Sequence, residues 1–143
     1  FLTMAMPACG SPALNDIALT GFYDDGDISA WAKGYVSAAV MSGAVRGEND
    51  SQGRAVFYAA NQITAAEAAV IIDRLLAMGD VAAGAAQDDI PAWAYQSVMN
   101  MQAVDVLSPA DELSAPLTRG EAARMLSAML DVLDSREENR WLW

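Results

Sequence analysis

Histidine is absent from this 143-residue chain, and cysteine occurs once, at Cys9. Without histidine the chain lacks the usual general base near neutral pH and the commonest metal ligand. One cysteine cannot close an intrachain disulfide, and Cys9, beside Gly10 and flanked by Pro7 and Pro12, reads as a buried or bystander thiol rather than a nucleophile. Basic residues are scarce: 8 Lys and Arg face 19 Asp and Glu, for a net charge of −11. That balance argues against nucleic acid, which is held by cations on its phosphates, and against anionic membrane surfaces. No apolar run approaches the roughly 18 residues of a membrane span. No signal peptide is visible and the first residue is not Met, so the chain is expected to be a piece of something longer. No paired acids in a defended geometry, phosphate loop or metal-ligand set is apparent. An enzyme is therefore the least favoured class, and no cofactor or metal is implied.

What the chain does have is hydrophobic bulk, 54% of its residues, enough to bury the core of one ordinary domain or of a small repeat array. It also has a duplicated motif. Asp27-Ile28-Ser29-Ala30-Trp31-Ala32 leads to Ile63-Thr64-Ala65-Ala66-Glu67, and Asp89-Ile90-Pro91-Ala92-Trp93-Ala94 leads to Leu117-Thr118-Arg119-Gly120-Glu121. The tryptophans are 62 positions apart and the glutamates 54. Such self-similarity marks supersecondary units built to pack on one another.

Each unit reads as helix, long loop, helix. The first helix spans about Ser29 to Ser42, with Trp31, Tyr35, Val36, Ala39 and Val40 at helical spacing and Gly43 as its stop. Thr64 and Glu67 form a capping box for the second, with Ile63 and Ala68 as a weak hydrophobic staple. Its buried stripe is Ala68, Ile71, Ile72, Leu75 and Leu76. In the second copy Pro91 suits a first helical turn, Trp93, Ala94, Val98 and Met101 form the stripe, and Thr118 and Glu121 rebuild the box. Ala122, Met125, Leu126, Met129, Leu130 and Leu133 follow as the second apolar face. The connection Gly43 to Gln62 is long, and Ala55-Val56-Phe57-Tyr58 within it reads as a short extended segment covering the core. Phe1 to Met6 reads as the interior of another second helix, ended by Pro7.

The motifs resemble the S-layer homology domain. Phe22-Tyr23-Asp24 precedes Trp31-Ala32, Gly43-Ala44-Val45-Arg46-Gly47 follows the first helix, and the Ile-Thr-Arg-Ala-Glu motif corresponds to residues 63–67, with Ala65 in place of Arg, and to residues 117–121, which keep Arg119. The resemblance implies an all-α fold of tandem helix-loop-helix repeats in a pseudo-threefold bundle with long inter-helix loops. Residues 1–20 would be the remnant of a first repeat with its linker, 21–80 the second repeat, 81–136 the third and 137–143 a tail. It further implies an extracellular protein that anchors cargo non-covalently to the cell wall or S-layer of a Gram-positive-type bacterium, by binding a pyruvylated wall polysaccharide in grooves between repeats. Arg119, Trp93, Trp31, Asp24, Gly43 and Arg46 are the implied glycan-binding residues. A guanidinium at a helix start suits a pyruvyl carboxylate, and an indole face suits a sugar ring.

Plainer readings stand beside these. Arg119 fits equally a surface cation paired with Glu121 or a nearby Asp. Trp31 and Trp93 lie in line with apolar stripes and are expected mainly in the core, with a groove rim as the other option. Asp24, Asp25 and Asp27 fit a turn with a helix-capping Asp better than a calcium site, and Asn49 to Gly53 fits a turn. Arg46 and Arg54, in the long loop, fit solvated charges better than cations that supplement a groove in the copy lacking its motif Arg. Trp141 and Trp143 are expected to dock on the bundle or a partner. The competing function is a degenerate scaffold for protein–protein contacts at the cell surface, favoured by Ala65, by the early Pro7 and by the charge of −11.

Overall fold

The computed structural model describes residues 1–82 and 89–140. Five α-helices and one two-stranded hairpin occur among these residues: α1 (Leu2–Ala8), α2 (Ala30–Met41), β1 (Glu48–Asn49), β2 (Ala55–Val56), α3 (Ala65–Leu76), α4 (Tyr95–Ala103) and α5 (Arg119–Arg140). The protein is thus mostly helical, with long loops and a small sheet that an all-α reading leaves out. Among the described residues no helix is long and apolar enough to cross a membrane. The chain groups into two compact units, Leu2–Gln62 and Ile63 onward with Phe1. The boundary falls inside the 21–80 stretch, between the helices that flank the long loop.

In the first unit α1 packs on α2. Leu2, Ala5 and Met6 are the buried face of α1, which runs one residue past Pro7. Gly10 then adopts φ 75, and the N–H of Ser11 donates back to the Met6 carbonyl at 2.9 Å. α2 matches the Ser29–Ser42 expectation to within a residue at each end and stops at Gly43, φ 78, whose N–H donates to Val40. Only a residue without a Cβ takes this left-handed conformation freely. The loop beyond is not structureless. Residues 48–49 pair antiparallel with 55–56, Glu48 opposite Val56 and Asn49 opposite Ala55. The turn between them is tied by the Asp50 carboxylate, which accepts from the N–H groups of Gln52 and Arg54. Val56, in the segment expected to cover the core, is 4% exposed.

In the second unit α3 packs against α4 and α5. α3 is buried nearly all round, at Ala65, Ala66, Ala68, Ala69, Val70, Ile72 and Leu76, because its small side chains allow close approach. Burying a side chain such as Ile72 contributes roughly 1.5–3 kcal/mol. Ile71 and Leu75, expected in the stripe, are only half-buried. Between α3 and α4 lies a polar network. The amide of fully buried Asn100 donates to Asp73 at 3.0 Å, and Ser97 donates to the same carboxylate at 2.7 Å. The Asn100 carbonyl oxygen accepts from the Val81 N–H and from Gln96, both at 3.0 Å. Every member has a partner, so the network orients the helices instead of weakening the core. The expected docking of Trp141 and Trp143 lies outside the described residues.

Candidate functional site

Both capping boxes form. The Thr64 hydroxyl accepts from the Glu67 N–H at 3.2 Å, while the Glu67 carboxylate accepts from the Thr64 N–H at 2.8 Å. At α5 the Thr118 hydroxyl accepts from the Glu121 N–H at 3.2 Å, and Glu121 accepts from the Thr118 N–H and hydroxyl, both at 2.7 Å. These bonds, the backbone N–H of Thr118 foremost, hold the Glu121 carboxyl below its ordinary pKa. The two starts also meet. Leu117 N–H donates to the Ile63 carbonyl at 2.8 Å, Ala66 N–H donates to Leu113 at 3.0 Å, and Thr64 bridges antiparallel to Pro116.

A cleft of about 70 Å³ opens beside this crossing, lined among others by Ala65, Asp111, Glu112, Glu121 and Arg124. Its cation is Arg124, not Arg119. The Arg124 guanidinium donates to Asp111 at 2.7 Å and to the Val106 carbonyl at 3.4 Å. Arg119 sits exposed at the first residue of α5, with neither Glu121 nor an aspartate in ion-pair reach among the described residues. Arg124 escaped the sequence reading because its partner lies 13 residues away in a loop. Its one local signal is a cation set directly beside the buried Met125. A larger groove, about 500 Å³, runs along the C-terminal half of α5 between Met78, Val104 and Val132. Arg136 crosses it to donate to the Leu76 carbonyl at 2.6 Å, at the end of α3.

The core placement expected of the tryptophans is overturned: Trp31 is 70% and Trp93 63% exposed. The buried place in each motif copy belongs to the isoleucine three residues earlier, Ile28 at 4% and Ile90 at 7%. Pro91 does not open α4. Residues 91–94 form a turn in which Ala94 N–H donates to Pro91, and α4 starts at Tyr95, so Trp93 is out of phase with the stripe of Ala94, Val98 and Met101. Trp31 lies in the first turn of α2, ahead of the buried Gly34, Val36 and Ala39.

The remaining candidates lie in the first unit. Asp24 caps no helix. Its carboxylate accepts from the N–H groups of Phe57 and Tyr58 at 2.8 and 2.7 Å, fastening the end of the hairpin. Asp25 accepts from Lys33 at 2.5 Å and from the N–H and hydroxyl of Thr20, which together take its pKa from 3.8 to about 2. The N-cap of α2 is Ser29, with no side-chain bond, so the helix-capping role expected of an aspartate here is corrected to loop closure. Gly43 acts as the helix stop described above. Arg46 is exposed and makes no ion pair among the described residues. Arg54, read as a solvated charge, is instead tied to Asp50 at 2.6 Å and lies over the Tyr23 ring, 3.7 Å from its centroid. No group of three His, Cys, Asp or Glu among the described residues is placed to hold a metal ion. The six candidates thus divide between the two units, Arg119 and Trp93 in one and Trp31, Asp24, Gly43 and Arg46 in the other. Compared with protein-family models and with curated proteins, the chain matches none.

Proposed function

We propose that this chain is a non-covalent anchoring module that binds a pyruvylated cell-wall polysaccharide and so holds secreted cargo on a Gram-positive-type cell surface. One observation carries the reading: Trp31 and Trp93, at matched places in the duplicated motif, both turn outward while the isoleucines beside them are buried. An outward indole gives a flat apolar face with one donor, suited to a sugar ring. Arg119, exposed in the first turn of α5, adds a cation free for a ligand carboxylate, near helix N–H groups that favour an anion. On this reading the chain is a set of S-layer-homology-like repeats in a pseudo-threefold bundle, outside the cell and acting without catalysis. Its ligand is the polysaccharide, not nucleic acid.

A second reading, a scaffold for other surface proteins, draws on one specific feature. Ala65, where the motif has Arg, is 2% exposed on a cleft whose ionisable groups are Asp111, Glu112, Glu121 and the already paired Arg124. An acidic cleft repels an anionic ketal. Sedimentation with purified wall polysaccharide, before and after removal of its pyruvyl groups, separates the two. An anchor binds the pyruvylated polymer more tightly than the stripped one, and Arg119→Ala or Trp93→Ala weakens that binding about tenfold. A scaffold ignores both polymers.

A further inference from the structure

The loop fastened by Asp24 presents a second aromatic surface, far in sequence from Trp93 and Arg119. Tyr23 is 65% and Tyr58 40% exposed. The Asp50 carboxylate first, and after it the two nearby phenols, raise the pKa of Arg54. The arrangement is held from several sides. Tyr23 N–H donates to the Ala55 carbonyl at 2.8 Å, Asp24 accepts from the N–H groups of Phe57 and Tyr58, and the Phe57 ring leans on Phe22 with centroids 5.5 Å apart. Arg54 is oriented by Asp50 through its Nε and a terminal nitrogen and lies over one face of Tyr23. Tyr58 itself sits at φ 57, a left-handed conformation that a bulky residue rarely takes. The neighbouring bonds hold it there, and such enforced outliers gather at ligand sites. Its ring remains in solvent, so burial of the side chain is not what the strain secures.

We propose that Tyr23, Arg54 and Tyr58 form a platform for a neutral pyranose unit of a polysaccharide. Exposed aromatic rings, with few rotatable bonds to fix, offer stacking faces at little entropic cost. Asp50 already balances the charge of Arg54, so the cluster does not select an anionic ligand, while the free edge of the guanidinium donates to sugar hydroxyls. The platform rests on the polysaccharide reading above and extends it: the anion would be read by Arg119, the uncharged backbone sugar here. The bond set is hydrogen bonds and ring stacking only, with no covalent step.

The test is side-chain NMR and calorimetry on the intact chain with two probes, the wall polysaccharide stripped of pyruvyl groups and a tetrasaccharide of β-linked N-acetylglucosamine. The ring resonances of Tyr23 and Tyr58 move on titration, and the affinity stays level as sodium chloride is raised. Tyr23→Ala and Tyr58→Ala each weaken binding about fivefold. Tyr23→Phe and Tyr58→Phe, which keep the ring, stay near the parent, and thermal midpoints show that every variant is folded. Ring resonances that do not move with either probe overturn the platform, as do alanine variants that bind like the parent. If the pyruvylated polymer is not retained at all, the anchoring reading fails. Tyrosine shifts with the tetrasaccharide would still uphold the platform in that case.

Discussion

Leu117 donates its backbone N–H to the carbonyl of Ile63 at 2.8 Å, and each of these residues stands immediately before the capping threonine of its own motif copy. The duplicated helix starts are therefore joined residue to equivalent residue. The bond forms where both carbonyl and amide lie outside their helices and need partners, so it satisfies groups that would otherwise seek water. Amide exchange at Leu117 and Ala66 should be slow for loop-edge positions, and Thr64→Ala should accelerate it. That substitution removes a cap and should cost about 1 kcal/mol in urea unfolding, with Thr118→Ala, at the exposed cap, costing somewhat less.

Acid should weaken the protein through Asp25. Its carboxyl is held at about 2, below the ordinary 3.8, by Lys33 first and then by the N–H and hydroxyl of Thr20. A depressed folded-state pKa contributes stability at pH values above the unfolded one and loses it as pH falls through the folded one. The contribution of Asp25 should therefore be complete above about pH 4 and fade towards pH 2. Asp50 and Glu121, also lowered, act in the same direction. Denaturation midpoints followed from pH 6 to pH 2 should fall less steeply for Asp25→Asn than for the parent. Parallel curves would refute the assignment.

Helix ends offer a stabilising change. α1 and α2 finish at glycines in the left-handed region, whereas α3 finishes at Ala77, φ 46, and α4 at Asp105, φ 59. The N–H groups of Met78 and Val106 still reach back five residues, to Asp73 and Met101. The closing bond thus matches that of α1, where the Ser11 N–H reaches Met6, but a Cβ sits where one is disfavoured. Ala77→Gly and Asp105→Gly should each stabilise by about 0.5–1 kcal/mol, measured by urea unfolding.

These contrasts show what the sequence made readable. The threonine caps, the Gly43 stop and the extent of α2 rest on residues within four positions of one another, and all three were legible. The left-handed ends at Ala77 and Asp105 carry no glycine to announce them. Asp24 acts on amides 33 and 34 residues ahead, and Arg124 on a loop 13 residues back, so neither could be read from spacing. Trp93 was misplaced because the helix was phased from Pro91, whereas the α-helical ladder begins only at Tyr95.

Gly34 of α2 has no room for a side chain. It is buried, and its carbonyl accepts from the Leu14 N–H at 3.1 Å. A methyl group there would run into the Leu14 carbonyl oxygen, a backbone atom that cannot rotate aside. Alanine ordinarily stabilises a helix interior over glycine by roughly 0.5–1 kcal/mol. At this position the overlap should dominate, and Gly34→Ala should destabilise by about 1–3 kcal/mol in thermal or urea unfolding.

Stability measurements also bear on why two tryptophans face outward. Replacing a packed tryptophan by alanine costs about 3–5 kcal/mol, because a large cavity is left. Trp31 and Trp93 are mostly in solvent, and the hydrophobic role in their motif copies is filled by Ile28 and Ile90. Trp31→Ala and Trp93→Ala should therefore each change unfolding free energy by no more than about 0.5 kcal/mol. Ile28→Ala and Ile90→Ala should cost about 2–5 kcal/mol by the same measurement. On the anchoring proposal these indoles contact the ligand, so the tryptophan variants should lose ligand retention while keeping the parent's unfolding curve. Loss of stability on Trp93→Ala equal to that of Ile90→Ala would return Trp93 to a packing role and remove the observation on which the anchoring proposal stands.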